Sequence, residues 1–305
     1  MKRVIISLIS LFCVIAAWAQ NDDFVQYQLD NGLTVYLWED HDQPDVQGWT
    51  VTRAGAIDEP ADATGLAHYL EHMLFKGTDR IGALDWEKEQ PLYEQIIALY
   101  DTLALTTDAK AREAVQLRIN EVSLEAAKYA APDEFSNLIQ GIGGEGLNAF
   151  TAYDVTCYMN SFPAYQMERW LTLYADRLTN PVFRSFQAEL ENVFEEYNMY
   201  LDDNSTHSRN FIFGKLYEGH AYARDIIGYA EDLKNPKLRK LIDFYNTWYV
   251  PNNMALILVG DFDIEATRPL IEKTFGKLPA RPLPERTKYP TTAFAQDERY
   301  SAKLG

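Results

Sequence analysis

The 305-residue sequence predicts an α+β fold in which a mixed, mostly antiparallel sheet packs against helices. Three observations support this prediction. A hairpin pattern opens the chain after its first twenty residues, strand-like segments recur between helical stretches, and the helical stretches carry one apolar face each. Hydrophobic residues make up 47% of the chain, which is enough for one large core or two modest ones.

The first predicted elements after residue 23 are three strands and a helix. Residues 25–29 and 33–37 alternate apolar and polar side chains around an Asp-Asn-Gly turn, which predicts a hairpin. Residues 46–54 predict a further strand. A helix is expected from 64 to 75 because Gly77 is the residue type that typically ends one.

Residues 86–140 form a long stretch with helical periodicity. Two apolar stripes are separated by a Thr-Thr-Asp break at 106–108, which can cap the second helix, so we expect a helical hairpin followed by a short helix at 134–139. These helices are interpreted as packing elements without chemistry. Residues 148–162 are rich in β-forming side chains and predict two strands or a hairpin.

The last third of the chain is mainly helical and ends in a proline-rich segment. Helices are predicted at 164–178, 186–200, 237–248 and 264–275, with a strand at 254–259. Four prolines from 279 onward favour a linker at 281–305.

Residues 1–19 have the pattern of a secretory signal peptide: a basic start, an apolar run and a small-x-small cleavage site. The apolar run is shorter than the roughly 20 residues that a spanning helix needs, so no stable membrane span is expected. We therefore predict export across the inner membrane to the periplasm or the outside. A formal net charge of −17 argues against nucleic acid as a partner.

The predicted helix at 64–75 carries the chain's most specific chemical pattern, H-x-x-E-H. His68 and His72 are four residues apart, so they project from one helix face and can take two positions of a tetrahedral zinc site. Glu71 borders that face, where a carboxylate can act as general base towards a metal-activated water. This is the inverted form of the zincin motif.

Two histidines leave a catalytic zinc one protein ligand short. Acidic residues of the predicted helix at 186–200 are the candidates. Glu189 and Glu196 are seven residues apart and share a helix face, whereas Glu195 lies about 100° round it. Spacing alone leaves the choice open, and a run of glutamates is also typical of a solvated face.

The sequence around the motif resembles the pitrilysin family of inverzincins, which includes insulysin and the mitochondrial processing peptidases. The resemblance covers most of residues 24–280, which we interpret as a catalytic half-domain. The matching segments are Gly65–Thr78, Asn31–Val35, Asn148–Thr151 with Asp154, Thr156 and Tyr158, Glu189–Glu196, Tyr249, Pro251–Met254, and Gly260–Asp261.

The resemblance implies a zinc metalloendopeptidase that hydrolyses peptides or unfolded proteins. His68 and His72 would be ligands, Glu71 the base, and Glu196 the third ligand, because it is the last Glu of an E-x(6)-E pattern. Glu189 would lie near the metal outside the ligand set and orient a histidine. Residues Asn148 and Ala149 would lie on an edge strand that pairs with extended substrate.

The chain departs from the family pattern in two ways. The interval from His72 to Glu196 is longer than usual, and we assign the excess to an insertion at 86–140 that lies outside the site. Family enzymes also pair two related halves, whereas this sequence contains one. We therefore expect a second homologous half, supplied by the same gene product, a separate subunit or a homodimer. The alternative function is a non-catalytic peptide-binding or partner half of a two-subunit processing protease.

Overall fold

A computed structural model describes residues 24–235, 237–289 and 296–303. The predicted signal peptide at 1–19 lies outside the described residues. Within the described ranges, no helix combines the length and the apolar character needed to cross a membrane.

A six-stranded sheet forms the centre of the molecule. Its spatial order is β1-β2-β6-β3-β5-β4, and neighbouring strands are antiparallel except β2 and β6, which run parallel. The mixed, mostly antiparallel sheet predicted from sequence is therefore confirmed. The strands are β1 (Phe24–Gln28), β2 (Thr34–Glu39), β3 (Asp45–Thr52), β4 (Glu145–Thr151), β5 (Thr156–Pro163) and β6 (Met254–Gly260).

Ten helices surround this sheet in the described part of the chain. They are α1 (Leu66–Met73), α2 (Trp86–Leu105), α3 (Ala109–Ala126), α4 (Glu134–Gly141), α5 (Met167–Arg177), α6 (Phe186–Leu201), α7 (Asn204–Leu216), α8 (Ala230–Leu233), α9 (Leu238–Trp248) and α10 (Ile264–Thr274). Single 3-10 turns occur at Ala56–Asp58, Ala127–Tyr129, Ala164–Gln166, Ala221–Ala223, Pro251–Asn253 and Phe275–Lys277.

The structure departs from the local expectations in the hairpin and in one helix. The strands at 25–29 and 33–37 are each shifted, because the pairing ends at Gln28 and Thr34 and buried Leu29 and Leu33 belong to the turn. Helix α7 was not predicted at all. Its sequence shows no apolar stripe, and its start depends on the Asp203 side chain, which accepts hydrogen bonds from the backbone of Ser205 and Thr206.

The core lies between one face of the sheet and the helices packed on it. Helices α10, α5 and α1 contact β2, β5 and β4 respectively, and α9 packs on α1. The buried positions alternate along the strands, as a sheet with one covered face requires. Gly48 of β3 is required by this packing, because a Cβ there would lie 2.3 Å from the ring of buried Trp170.

Helices α2 and α3 form the hairpin expected at 86–140. Their facing sides bury Ile96 and Leu103 of α2 and Ile119 and Val122 of α3. Asp108 begins α3 by accepting a hydrogen bond from the backbone N–H of Ala111, which is the capping role predicted for it.

Candidate metal centre

Helix α1 carries the H-x-x-E-H motif, and the start of this helix is held by the side-chain carboxylate of Glu59. Gly65 precedes the helix in the left-handed region, with φ of 78°. The buried Glu59 side chain accepts hydrogen bonds from the backbone N–H groups of Gly65 and Ala67, at 3.0 and 2.8 Å. The helix therefore begins at Leu66, two residues later than the sequence pattern predicts, because its cap comes from outside the helix.

Packing fixes α1 against α6. The Tyr69 hydroxyl donates a hydrogen bond to the backbone carbonyl of Phe186, the first residue of α6, and the two rings lie 4.8 Å apart. Leu70 and Met73 are fully buried on the same helix. The motif face of α1 is consequently held at a defined distance from the glutamates of α6.

Three candidate ligands converge between these two helices. The Nε2 atoms of His68 and His72 lie 3.6 and 3.4 Å from Oε2 of Glu196. Ligand atoms of all three residues lie within 4.8 Å of one another, and this is the only group of three or more potential metal-ligating side chains in the described residues. Glu195, the alternative on spacing, lies outside this group.

The donor set fits zinc. Distances of 3.4 and 3.6 Å are too long for good hydrogen bonds. Two ligands of a tetrahedral zinc, each about 2.0–2.2 Å from the metal, lie roughly 3.3–3.5 Å apart. Burial lowers the pKa of His68 to about 4, with a further contribution from His72.

Glu189 contacts His72 from the side away from this convergence. Its Oε1 lies 2.8 Å from Nδ1 of His72 and its Oε2 lies 2.6 Å from Nζ of Lys76. Burial opposes the charge of Glu189, but hydrogen bonds from His72 and Lys76 lower its pKa to about 2. Burial likewise opposes the charge of His72, but Glu189 and Glu196 raise its pKa to about 9. Glu189 thus makes the contact that an orienting residue requires.

Glu71 is buried beside the ligands, and its carboxylate accepts a hydrogen bond from the Thr151 hydroxyl. Burial raises its pKa, while Thr151 opposes the shift. A carboxylate with a raised pKa is suited to accept and return a proton near neutral pH. Thr151, the last residue of β4, was not predicted as a site residue.

An open cleft of about 600 Å³ joins the ligands to the sheet edge. Strand β4 is at that edge and pairs only with β5 in the described chain, and its residues Asn148 and Ala149 border the cleft. Their pairing with a substrate stays a prediction. No residue of 86–140 lines it. The lining residues that the sequence analysis did not identify are Phe75, Lys76, Leu147, Phe150, Thr151, Tyr200, Arg209, Asp225, Ile226 and Ile227.

Tyr200 lines the cleft and was not predicted, although its spacing from Glu196 could have indicated it. It is four residues after Glu196 on α6, and its hydroxyl donates a hydrogen bond of 3.0 Å to Oε1 of Glu196. That hydrogen bond occupies Oε1 of Glu196, while Oε2 of the same carboxylate faces the two histidines.

Two family models match the chain. The model described as insulinase (peptidase family M16) matches residues 34–89 and 119–230. A second model, described as the peptidase M16 inactive domain, matches residues 237–304. The unmatched interval 90–118 falls within α2, the following turn and the first part of α3.

Similar curated proteins are named zinc proteases. Probable zinc protease PqqL of Escherichia coli is 25% identical over 289 residues, covering 92% of this chain and 26% of that protein. Uncharacterized zinc protease YmfH of Bacillus subtilis is 33% identical over 145 residues, covering 47% of this chain and 33% of that protein. The chain therefore spans about a quarter to a third of these relatives.

Solved structures show the same fold. The first half of the periplasmic protease PqqL from Escherichia coli aligns with a TM-score of 0.68 at 23% identity, covering 90% of this chain and 50% of that one. A protease from Helicobacter pylori aligns with a TM-score of 0.67 at 21% identity, covering 88% of this chain and 54% of that one.

Proposed function

The chain belongs to the insulinase family, peptidase family M16, and from this premise we propose that it is a zinc-dependent metalloendopeptidase half-domain. The observation that carries the proposal is the convergence of His68, His72 and Glu196 beside buried Glu71, in a cleft that opens on an edge strand. Zinc is the metal of the curated relatives by their names. Zinc held by these three side chains would supply Lewis-acid polarisation of the peptide carbonyl and a lowered pKa for water.

The chain's own residues supply the remaining chemistry. Glu71 takes the proton of the attacking water and later transfers it to the leaving amine nitrogen. Thr151 holds the Glu71 carboxylate in place by its hydrogen bond. Glu189 fixes the ring of His72 through Nδ1, so that Nε2 faces the metal position.

Substrate binding follows from the exposed edge of β4. An extended peptide or a segment of unfolded protein adds to the sheet beside Asn148 and Ala149, and its backbone then crosses the cleft in front of Glu71. This mode recognises the peptide backbone, so it accepts many sequences. A second homologous half covers the cleft in our proposal, which is supported by the chain's alignment with 50% of the first half of a larger protease and with 26% of that whole protease.

Location is inferred from one relative and from the N-terminal pattern. The Escherichia coli protein PqqL is a periplasmic protease. Together with the signal-peptide pattern of residues 1–19, this supports export to the periplasm or the exterior.

The test is zinc-dependent cleavage of quenched fluorescent peptides by wild-type protein and by Glu71→Gln. We expect the variant to bind zinc as wild type does and to cleave roughly 10²–10⁴-fold more slowly, because only the proton acceptor is lost. Glu191→Gln, an exposed glutamate of α6, is the matched control. Full cleavage by Glu71→Gln would contradict the mechanism, and unchanged zinc affinity in Glu196→Ala would remove the third ligand. Peptide binding without cleavage by zinc-loaded wild type would favour the non-catalytic alternative.

A further inference from the structure

Two cationic side chains line the cleft, and they differ in their partners. Lys76 is mostly buried, and its Nζ lies 2.6 Å from Glu189. The side chain of Arg209 is 46% exposed. The described chain therefore offers one accessible positive charge to a molecule in the cleft, besides any metal.

Arg209 is only loosely paired. Its Nη2 lies 3.4 Å from Oδ1 of Asp225, whereas charge-assisted hydrogen bonds are about 2.7–2.9 Å long. Asp225 is its only recorded hydrogen-bond acceptor among the described residues. Since a guanidinium has five N–H donors in a planar fork, most of its donors remain for a ligand.

Asp225 is not available to a basic ligand in the same way. Its side chain is 15% exposed, and its Oδ2 accepts a hydrogen bond of 2.6 Å from the side chain of Asn210. Its other oxygen faces Arg209. Both residues line the cleft, but the Arg209 side chain is the more exposed of the two, at 46% against 15% for Asp225.

Helix α7 sets the position of Arg209 relative to the metal centre. It begins three residues after α6 ends, and the Asp203 cap fixes that junction. Tyr200, which bonds to Glu196, lines the same cleft as Arg209 and the edge strand β4. A peptide paired with β4 would therefore share one cleft with Arg209.

We propose that Arg209 is a specificity-determining residue that binds the carboxylate of a Glu or Asp side chain close to the scissile bond of the substrate. The inference rests on the proposed peptidase function and names its substrate class. Carboxylates match the guanidinium fork in a bidentate arrangement. The net charge of −17 would repel a strongly acidic protein at long range, so the preference concerns one local acidic residue.

The experiment compares matched peptides that differ only by Glu, Gln or Lys at one position, scanned across the scissile bond. Wild-type zinc-loaded protein is expected to prefer Glu over Gln at one position by roughly tenfold in kcat/KM, which is what one charge-assisted hydrogen bond gives. Arg209→Gln should remove that preference, and Arg209→Glu should transfer it to Lys. Arg239→Gln changes an arginine of similar exposure that is paired with an aspartate away from the cleft, and it should keep the wild-type ratio.

Binding measurements separate this inference from the proposed function. Fluorescence anisotropy of the same peptides on Glu71→Gln reports the preference without any cleavage. If the Glu-to-Gln preference is the same in wild type and in Arg209→Gln, the proposed role of Arg209 is overturned. The peptidase function is not affected by that result. The wild-type protein could instead show no zinc-dependent cleavage but bind Glu peptides more tightly than Gln peptides, with Arg209→Gln abolishing that preference. This result would overturn the peptidase function and leave the role of Arg209 in peptide binding. A chain that binds and cuts none of the peptides would overturn both.

Discussion

Two clusters of ionisable side chains adjoin Lys76 in this protein, one buried and one half-buried, and their hydrogen bonding differs. In the first, Arg184 and Glu89 are 3% and 2% exposed and form a two-pronged ion pair at 2.6 and 2.9 Å. Arg184 also donates to the backbone carbonyls of Lys76, Thr78 and Ile81. Each charge is matched, so the cluster has little capacity left for a ligand.

In the second cluster, the candidate metal centre, hydrogen bonding is incomplete. The Nε2 atoms of His68 and His72 face one oxygen of Glu196 at distances beyond a good hydrogen bond. Nδ1 of His68 is buried without a partner among the described residues. Three ligand atoms that converge without good hydrogen bonds to one another form an arrangement that a bound cation would complete.

The Glu89–Arg184 ion pair also supports the position of the candidate metal centre. Glu89 is in the first turn of α2, and Arg184 lies two residues before α6, so the pair anchors the start of the helix that carries Glu196. Ser185, between them and α6, has φ of 54°, which costs of order 1–3 kcal/mol for a residue other than glycine. The pair thus contributes stability where the backbone beside it is strained.

The largest effect is expected from breaking the saturated pair. Glu89→Gln leaves Arg184 buried without a counter-charge, so the free energy of unfolding should fall by about 3–5 kcal/mol. Denaturant unfolding followed by fluorescence measures this change. Glu87→Gln, an exposed glutamate on the same helix, should change stability by less than about 0.5 kcal/mol. Equal midpoints for the two variants would show that the pair does not stabilise the fold.

A smaller effect is expected at the metal centre from Glu189→Gln. The variant removes the charge that orients His72, so zinc affinity should fall about 10–100-fold. Competition with a chromophoric chelator measures the affinity, and Glu191→Gln should bind zinc as wild type does. If both variants retain wild-type affinity, Glu189 has no part in positioning the histidine.

Glu59 tests an intermediate case, a buried carboxylate with hydrogen bonds from two backbone N–H groups and no ion pair among the described residues. Burial raises its pKa from 4.5 to about 8. Because the folded state holds the proton more tightly, this contribution to stability is complete below pH 4.5 and is lost as pH rises to about 8. The slope cannot exceed about 1.4 kcal/mol per pH unit for one proton.

The measurement is the free energy of unfolding at pH 5 and pH 8 for wild type and Glu59→Gln. Wild type should lose more stability than the variant over this interval, because glutamine does not ionise. A wild-type protein whose stability changes no more than that of the variant would contradict the assignment.

Local geometry explains why much could be predicted from the sequence. The fold class followed from apolar periodicity, since strands and helices repeat every two and 3.6 residues. The same rule placed His68 and His72 on one face with Glu71 beside it. It failed for α7, whose sequence shows no apolar stripe. It also misplaced the start of α1, since the cap comes from Glu59 and not from the predicted first residue Thr64.

The sequence by itself determined the spacing of the motif, because four residues of helix bring two side chains to one face whatever surrounds them. Only the tertiary structure decided that Glu196 faces both histidines while Glu189 contacts Nδ1 of His72. It also decided that the Thr151 hydroxyl donates a hydrogen bond to Glu71 and that Arg209 lines the cleft. These relations join elements distant in sequence, and their distances depend on how α1, α6, α7 and β4 pack rather than on the periodicity of any one of them.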